Sequence, residues 1–131
     1  MTSKIYKNTD SVHEPFSNYT HCVEVTNPTK VLYCSGQVPA DLDGHLKYPN
    51  DFDAQGELVI DNLKHVLSGS GANLSDVVKL VTYLSRTQDV PSVRKLLARY
   101  FPVNPPANSV CIVQSLTHED ILIEMEATAV L

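Results

Sequence analysis

Two carboxylates, Glu124 and Glu126, stand two residues apart in the closing run ILIEMEATAVL. On a strand that spacing points both to one side, together with Thr128, because successive side chains alternate between faces. Paired carboxylates can move protons and orient water. They also need partners if they are buried, since an unpaired charge in a dry interface is costly. The pattern alone leaves two readings level: acids lining a wet cavity against another subunit, or acids decorating an exposed face. Other reactive groups are scattered. Ser35 carries a hydroxyl able to donate to a ligand, but no spacing suggests a Ser-His-Asp nucleophile. His13, His21, His45, His65 and His118 form neither an i,i+4 pair nor an HExxH arrangement, and there is no CxxC, so no metal site is expected.

The closing strand divides cleanly. Ile121, Ile123, Met125, Ala127 and Ala129 suit a covered core, while Leu122, Glu124, Glu126, Thr128 and Val130 point the other way. Upstream, Ile5-Tyr6 starts a short strand, Tyr19 to Thr26 reads as a second and Lys30 to Ser35 as a third, the last two expected to pair as a hairpin across Asn27-Pro28. Gly56, Val59, Ile60, Leu63 and Leu67 form the stripe of an amphipathic helix from about Phe52, with Asn50, Asp51 and Asp53 as candidate caps. Ser68-Gly69-Ser70-Gly71 ends that helix; because these glycines follow a helix, they form a C-cap and not a phosphate loop.

Val77 to Leu84 is apolar on both alternating sets, as in a central strand. Asp89 is expected to cap a second helix with Pro91 in its first turn and Val93, Leu96, Leu97 and Tyr100 buried. A closing hairpin is expected to join 107–116 to 121–131. Its register is open: a five-residue loop puts Asn108 and Gln114 on the face of Glu124 and sends Cys111 to the core, and a four-residue loop reverses this. The order is β-β-β-α-β-α-β-β, an α+β fold with both helices on one face of the sheet.

At 131 residues one domain, 1–131, is the default. Lys and Arg total 10 against 15 Asp and Glu, a net charge of −5 with no basic stripe, so nucleic acid is not expected as a partner. No run approaches the roughly 20 apolar residues of a membrane span. MTSKIYKNTD lacks the apolar core of a secretory signal, and Cys22, Cys34 and Cys111 are an odd, dispersed set, which together predict a reducing cytoplasm.

Four stretches taken together are identified with a known family. SNY at 17–19, CSGQVP at 34–39, DNLKHVL followed by SGSGANLSDVVKLVTYL, and PPANS with ILIEMEATAV resemble the Rid (YjgF) superfamily over nearly the whole chain. The resemblance implies a chorismate-mutase-like fold, with one six-stranded mixed or antiparallel sheet and two helices on one face. It further implies a homotrimer with small-molecule pockets at subunit boundaries, no cofactor, and hydrolysis of imines or enamines such as 2-aminoacrylate. It favours the register that places Asn108 beside Glu124, and it makes Cys111 a core residue. By resemblance Glu124 is the catalytic acid that positions water, and Tyr19, Ser35 and Gly36 line the substrate pocket. Asn108 stands where the family carries an arginine that forks to the substrate carboxylate. Losing that fork would cost on the order of 2–4 kcal/mol, which makes efficient 2-aminoacrylate deamination unexpected. Arg94 is either a solvated helix residue or a substitute positive charge for that pocket. A non-catalytic metabolite-binding trimer is the alternative function.

Overall fold

The computed structural model describes all of residues 1–131. The strands are β1 (Ser3–Lys7), β2 (Cys22–Thr26), β3 (Val31–Gln37), β4 (Val77–Leu84), β5 (Ala107–Ile112) and β6 (Ile123–Val130), with helices α1 (Phe52–Ser68) and α2 (Val90–Tyr100). The expected α+β class and element order hold, but the six strands divide into two sheets. Strands β3-β6-β4-β5 form a four-stranded sheet, and β1 and β2 form a separate antiparallel pair.

Both expected hairpins are absent. Asn27 makes the turn after β2 with φ 53°, yet β2 pairs with β1 while β3 runs antiparallel to β6. At the other end, β4 lies between β5 and β6, antiparallel to β6 and parallel to β5. The reason is β4 itself: an eight-residue strand apolar on alternating sets has two edges of backbone groups to satisfy, and a terminal β5-β6 hairpin would leave one open. The connection 113–122 is long enough to pass the end of β4. Val113 N–H donates to Leu84 O (2.8 Å) on one side and Ser85 N–H to Leu122 O (3.2 Å) on the other. The link from β4 through α2 to β5 is a strand–helix–strand crossover, which is how parallel neighbours are joined.

Asp51 caps α1 by accepting from Ala54 N–H (3.1 Å), and Asp53 adds negative charge to the first turn. Past the last turn the left-handed position falls to Gly71, with φ 77°, while Gly69 stays helical. Asp89 does not cap α2 with its side chain; it is drawn instead into a two-point ion pair with Arg86 Nε (2.8 Å) and Nη2 (3.0 Å). Val93, Leu96 and Leu97 are buried as expected, but Tyr100 is half exposed because its hydroxyl donates to Glu57.

Both helices cover the same face of the four-stranded sheet. Val59, Ile60, Leu63 and Leu67 of α1 and Val93 and Leu97 of α2 close on Leu80, Leu84, Ile123, Met125, Ala127 and Ala129. One polar side chain joins this layer. Gln55, with no exposed surface, donates to Tyr48 O (3.1 Å) and Asp120 O (2.7 Å) and accepts from Leu122 N–H (2.8 Å). It thereby ties the loop before α1 to the entry of β6. Replacing Gln55 by Leu would strand those backbone groups in the dry layer, and chemical denaturation is expected to show a loss of about 2–4 kcal/mol.

Candidate functional site

The uncovered face of the sheet carries Glu124, Glu126 and Thr128 of β6, Val81 and Tyr83 of β4, and Tyr33 of β3. Tyr33 is 84% exposed, so this face is open in a single copy of the chain. The register between β3 and β6 slips between Cys34 and Gln37, and the bulge brings Gly36 under the Glu124 side chain. A Cβ at Gly36 would fall 2.9 Å from Glu124 Cδ and nearer still to Oε2. Only glycine leaves that carboxyl its place. Burial and then the neighbouring Glu126 charge raise the pKa of Glu124 above the ordinary carboxylate value. Glu126 is itself engaged, accepting from the Tyr83 hydroxyl at 2.5 Å, and that bond holds the Tyr83 proton and raises its pKa. Ser35 is exposed next to Gly36, its carbonyl accepting from Gln37 Nε2 (3.1 Å).

The remaining candidates lie on the other side. Asn108 is registered with Leu80, a core-facing residue, and accepts at Oδ1 from the fully buried Thr82 hydroxyl (3.3 Å). Asn108, Tyr19 and Arg94 line one cavity of about 220 Å³ between α2, β5 and the loop before β2, with Phe16, Val93 and Val110 among its apolar walls. Asn108 is therefore on the helix side and Glu124 on the open side, contrary to the expected shared face. Cys111 is likewise corrected: registered with Tyr83, it belongs to the open face and not to the core. Both corrections follow from β5 pairing parallel with β4 instead of folding back on β6, which resets which residues share a face. Gln114 falls beyond the end of β5.

The structure thus makes two groupings, Glu124 over Gly36 and Asn108 with Tyr19 and Arg94, on opposite sides of one sheet, and Ser35 adjoins Gly36 in the bulge without a recorded contact to Glu124. Sequence reading missed Tyr83, which fixes Glu126, and Thr82, which fixes Asn108. The alternation of VVKLVTYL carries the signal for both, since it puts Tyr83 on one face of β4 and Thr82 on the other. Asp41, Asp43 and His45 place ligand-capable atoms within 4.8 Å of one another. Asp41 Oδ1 already accepts from the N–H groups of Asp43 (3.0 Å) and His45 (2.9 Å), so this grouping is the chemistry of a tight turn.

A family model described as endoribonuclease L-PSP matches residues 10–131. The chain belongs to the Rid superfamily. A Rid family protein of Yersinia pestis, YyfB, superposes with a TM-score of 0.86 at 34% identity, covering 98% of each chain. A RutC family protein of Pyrococcus abyssi is 33% identical over 121 residues, 92% of each chain. The 3-aminoacrylate deaminase RutC of Acinetobacter baylyi is 33% identical over 107 residues, 82% of this chain and 84% of that protein. Rid membership supports a deaminase-like or imine-related role in general terms. No helix of this Rid chain is long and apolar enough to cross a membrane.

Proposed function

We propose that this chain is a Rid-family hydrolase of imines, enamines or related C–N compounds, working as a homotrimer whose sites lie between subunits. The observation that carries the reading is Glu124: a carboxyl on an otherwise uncovered sheet face, seated in a hollow that only glycine permits, with its pKa raised by burial. In water a carboxylate ionises near pH 4; a raised value brings proton exchange closer to neutral pH. As water oxygen bonds to the imine carbon, Glu124 accepts a proton from that water and returns it to nitrogen. In the resulting carbinolamine Glu124 next relays the hydroxyl proton to nitrogen as the C–N bond breaks, so that ammonia leaves and a carbonyl compound remains. For an enamine, protonated Glu124 first supplies a proton to carbon.

The opposed clusters support assembly. Glu124 and Asn108 on opposite faces of one sheet cannot hold one small molecule, whereas the open face of one copy set against the α2–β5 edge of another can. Covering that face would also desolvate Tyr33, Val81 and Tyr83, which a lone chain leaves to water. With Asn108 at the arginine position, 2-aminoacrylate is expected to be a poor substrate. RNA is disfavoured by the net charge of −5.

A panel of imines generated from amino acids by an oxidase, with ammonia release followed, tests the proposal. Acceleration of at least one of them is expected. No acceleration of any, together with ligand-dependent thermal stabilisation, would replace hydrolysis with the metabolite-binding alternative. The pH profile of a turned-over substrate offers a second check. If ionised Glu124 is the base, kcat/KM rises with pH through its raised pKa. Because the Glu126 charge is the second cause of that elevation, Glu126→Gln is expected to move this acid limb to lower pH.

A further inference from the structure

Glu124 and Glu126 face the same way on β6, but their surroundings differ. Tyr83 stands directly across from Glu124 on β4, while Val81 stands across from Glu126. Side chains in register across two strands are the natural contact pair. The Tyr83 hydroxyl nonetheless passes Glu124 and donates one row along, to Glu126 Oε1 at 2.5 Å. Glu124 is left without a donor, and its proton affinity is raised by burial and by the Glu126 charge alone. The other titratable side chains of this face lie further off. Lys79 of β4 and Tyr33 of β3 stand across from Thr128, and Cys111 of β5 stands across from Tyr83.

Two like charges on one strand face repel, and Glu126 is half exposed, so an untied Glu126 carboxylate would turn to water. Tyr83 opposes that movement. A tyrosine ring turns about only two side-chain bonds, and β4 is hydrogen-bonded along both edges, so the hydroxyl is a fixed point on the sheet. We infer that Tyr83 is a positioning residue for the Glu124 site: it tethers the Glu126 carboxylate beside Glu124 and leaves Glu124 the acid free to meet a ligand. The inference deepens the proposed hydrolase and rests on Glu124 being its base. It assigns control of that base to a hydroxyl on the neighbouring strand.

Tyr83→Phe keeps the ring and removes the tether. Carbon NMR of the full chain, isotope-labelled at glutamate Cδ, follows the Glu124 titration without substrate, and Glu124→Gln identifies the signal. Glu126→Gln is expected to lower the Glu124 midpoint by about half a pH unit, roughly threefold in its acid constant, the scale of like charges near a protein surface. Tyr83→Phe is expected to move it the same way and nearly as far, because the freed carboxylate turns away. The double variant should match Glu126→Gln alone, since a tether with nothing to hold has no effect. The acid limb of kcat/KM should follow the same pattern, which a merely structural tyrosine would not produce. An unmoved midpoint in Tyr83→Phe, a raised one, or an equal shift with and without Glu126 would each overturn the inference. The Tyr83 phenol gives a reading that needs no change at Tyr83. Its bond to Glu126 is the first cause of its raised pKa, so Glu126→Gln is expected to bring its titration down, and an unmoved phenol would also overturn the tether. Because the titrations need no turnover, the expected shifts without ammonia release from any imine would remove the hydrolase and leave the tether. Turnover with an unmoved midpoint would do the reverse.

Discussion

Glu124→Gln is expected to lower ammonia release from a turned-over imine by about 100-fold to 10,000-fold, the range that positioned proton transfer contributes. Glutamine keeps the size of the side chain and its fit over Gly36, but it can neither take nor give the proton. The same substitution is expected to leave the melting temperature unchanged or slightly raised at pH 7. The sign follows from the raised pKa. A carboxyl whose folded pKa lies above its unfolded value contributes stability that is fully present below the unfolded pKa and is lost as pH rises through the folded pKa. At neutral pH the ionised form, half buried and near Glu126, is the unfavourable one, and Gln removes it. Inactivity with unchanged or improved stability separates a chemical role from a structural one; ammonia release equal to wild type would exclude Glu124 as the catalytic group.

Gly36→Ala is expected to reduce turnover by about 100-fold, the scale of a displacement of roughly 1 Å in a catalytic group. The added methyl would meet the far end of Glu124, with Cδ at 2.9 Å and Cγ at 3.1 Å, and backbone is not among the atoms it approaches. Because the obstructing atoms are the mobile end of a side chain, Glu124 can swing away and the fold loses little. Activity should therefore fall far more than stability, as read by initial rates and thermal melts on one preparation. A large drop in melting temperature with proportionate activity per folded molecule would show that Gly36 serves the turn alone.

The alternation of the last strand was legible because β6 has one fully covered face: Ile123, Met125, Ala127 and Ala129 are all buried, and the acids fall between them. The α1 stripe was legible for the same reason, since a helix touching one layer repeats its apolar residues every three or four positions. Strand pairing was not. The polar run from Thr117 to Asp120 reads as a hairpin loop between 107–116 and 121–131, and nothing local reports that β4 slots between the two strands it joins. The overlooked signal was non-local: β4, α2 and β5 form a strand–helix–strand unit, and such units make parallel neighbours. Reading it so would have placed Asn108 in line with Leu80 and Cys111 in line with Tyr83. Asp89 illustrates a second limit, since its cap position was plain but the competing Arg86 three residues earlier took its carboxylate.

Sites shared between subunits are tested most directly by mixing two defective chains, Glu124→Gln and the cavity double variant Asn108→Leu, Arg94→Gln, each expected to be nearly inactive alone. In random trimers formed at equal amounts, a site is whole when one subunit supplies Glu124 and its neighbour supplies the cavity, so activity should return to about one quarter of wild type. Mixed assemblies of confirmed mass that remain as inactive as either parent, or a chain that stays monomeric at micromolar concentration, would contradict a site built between subunits.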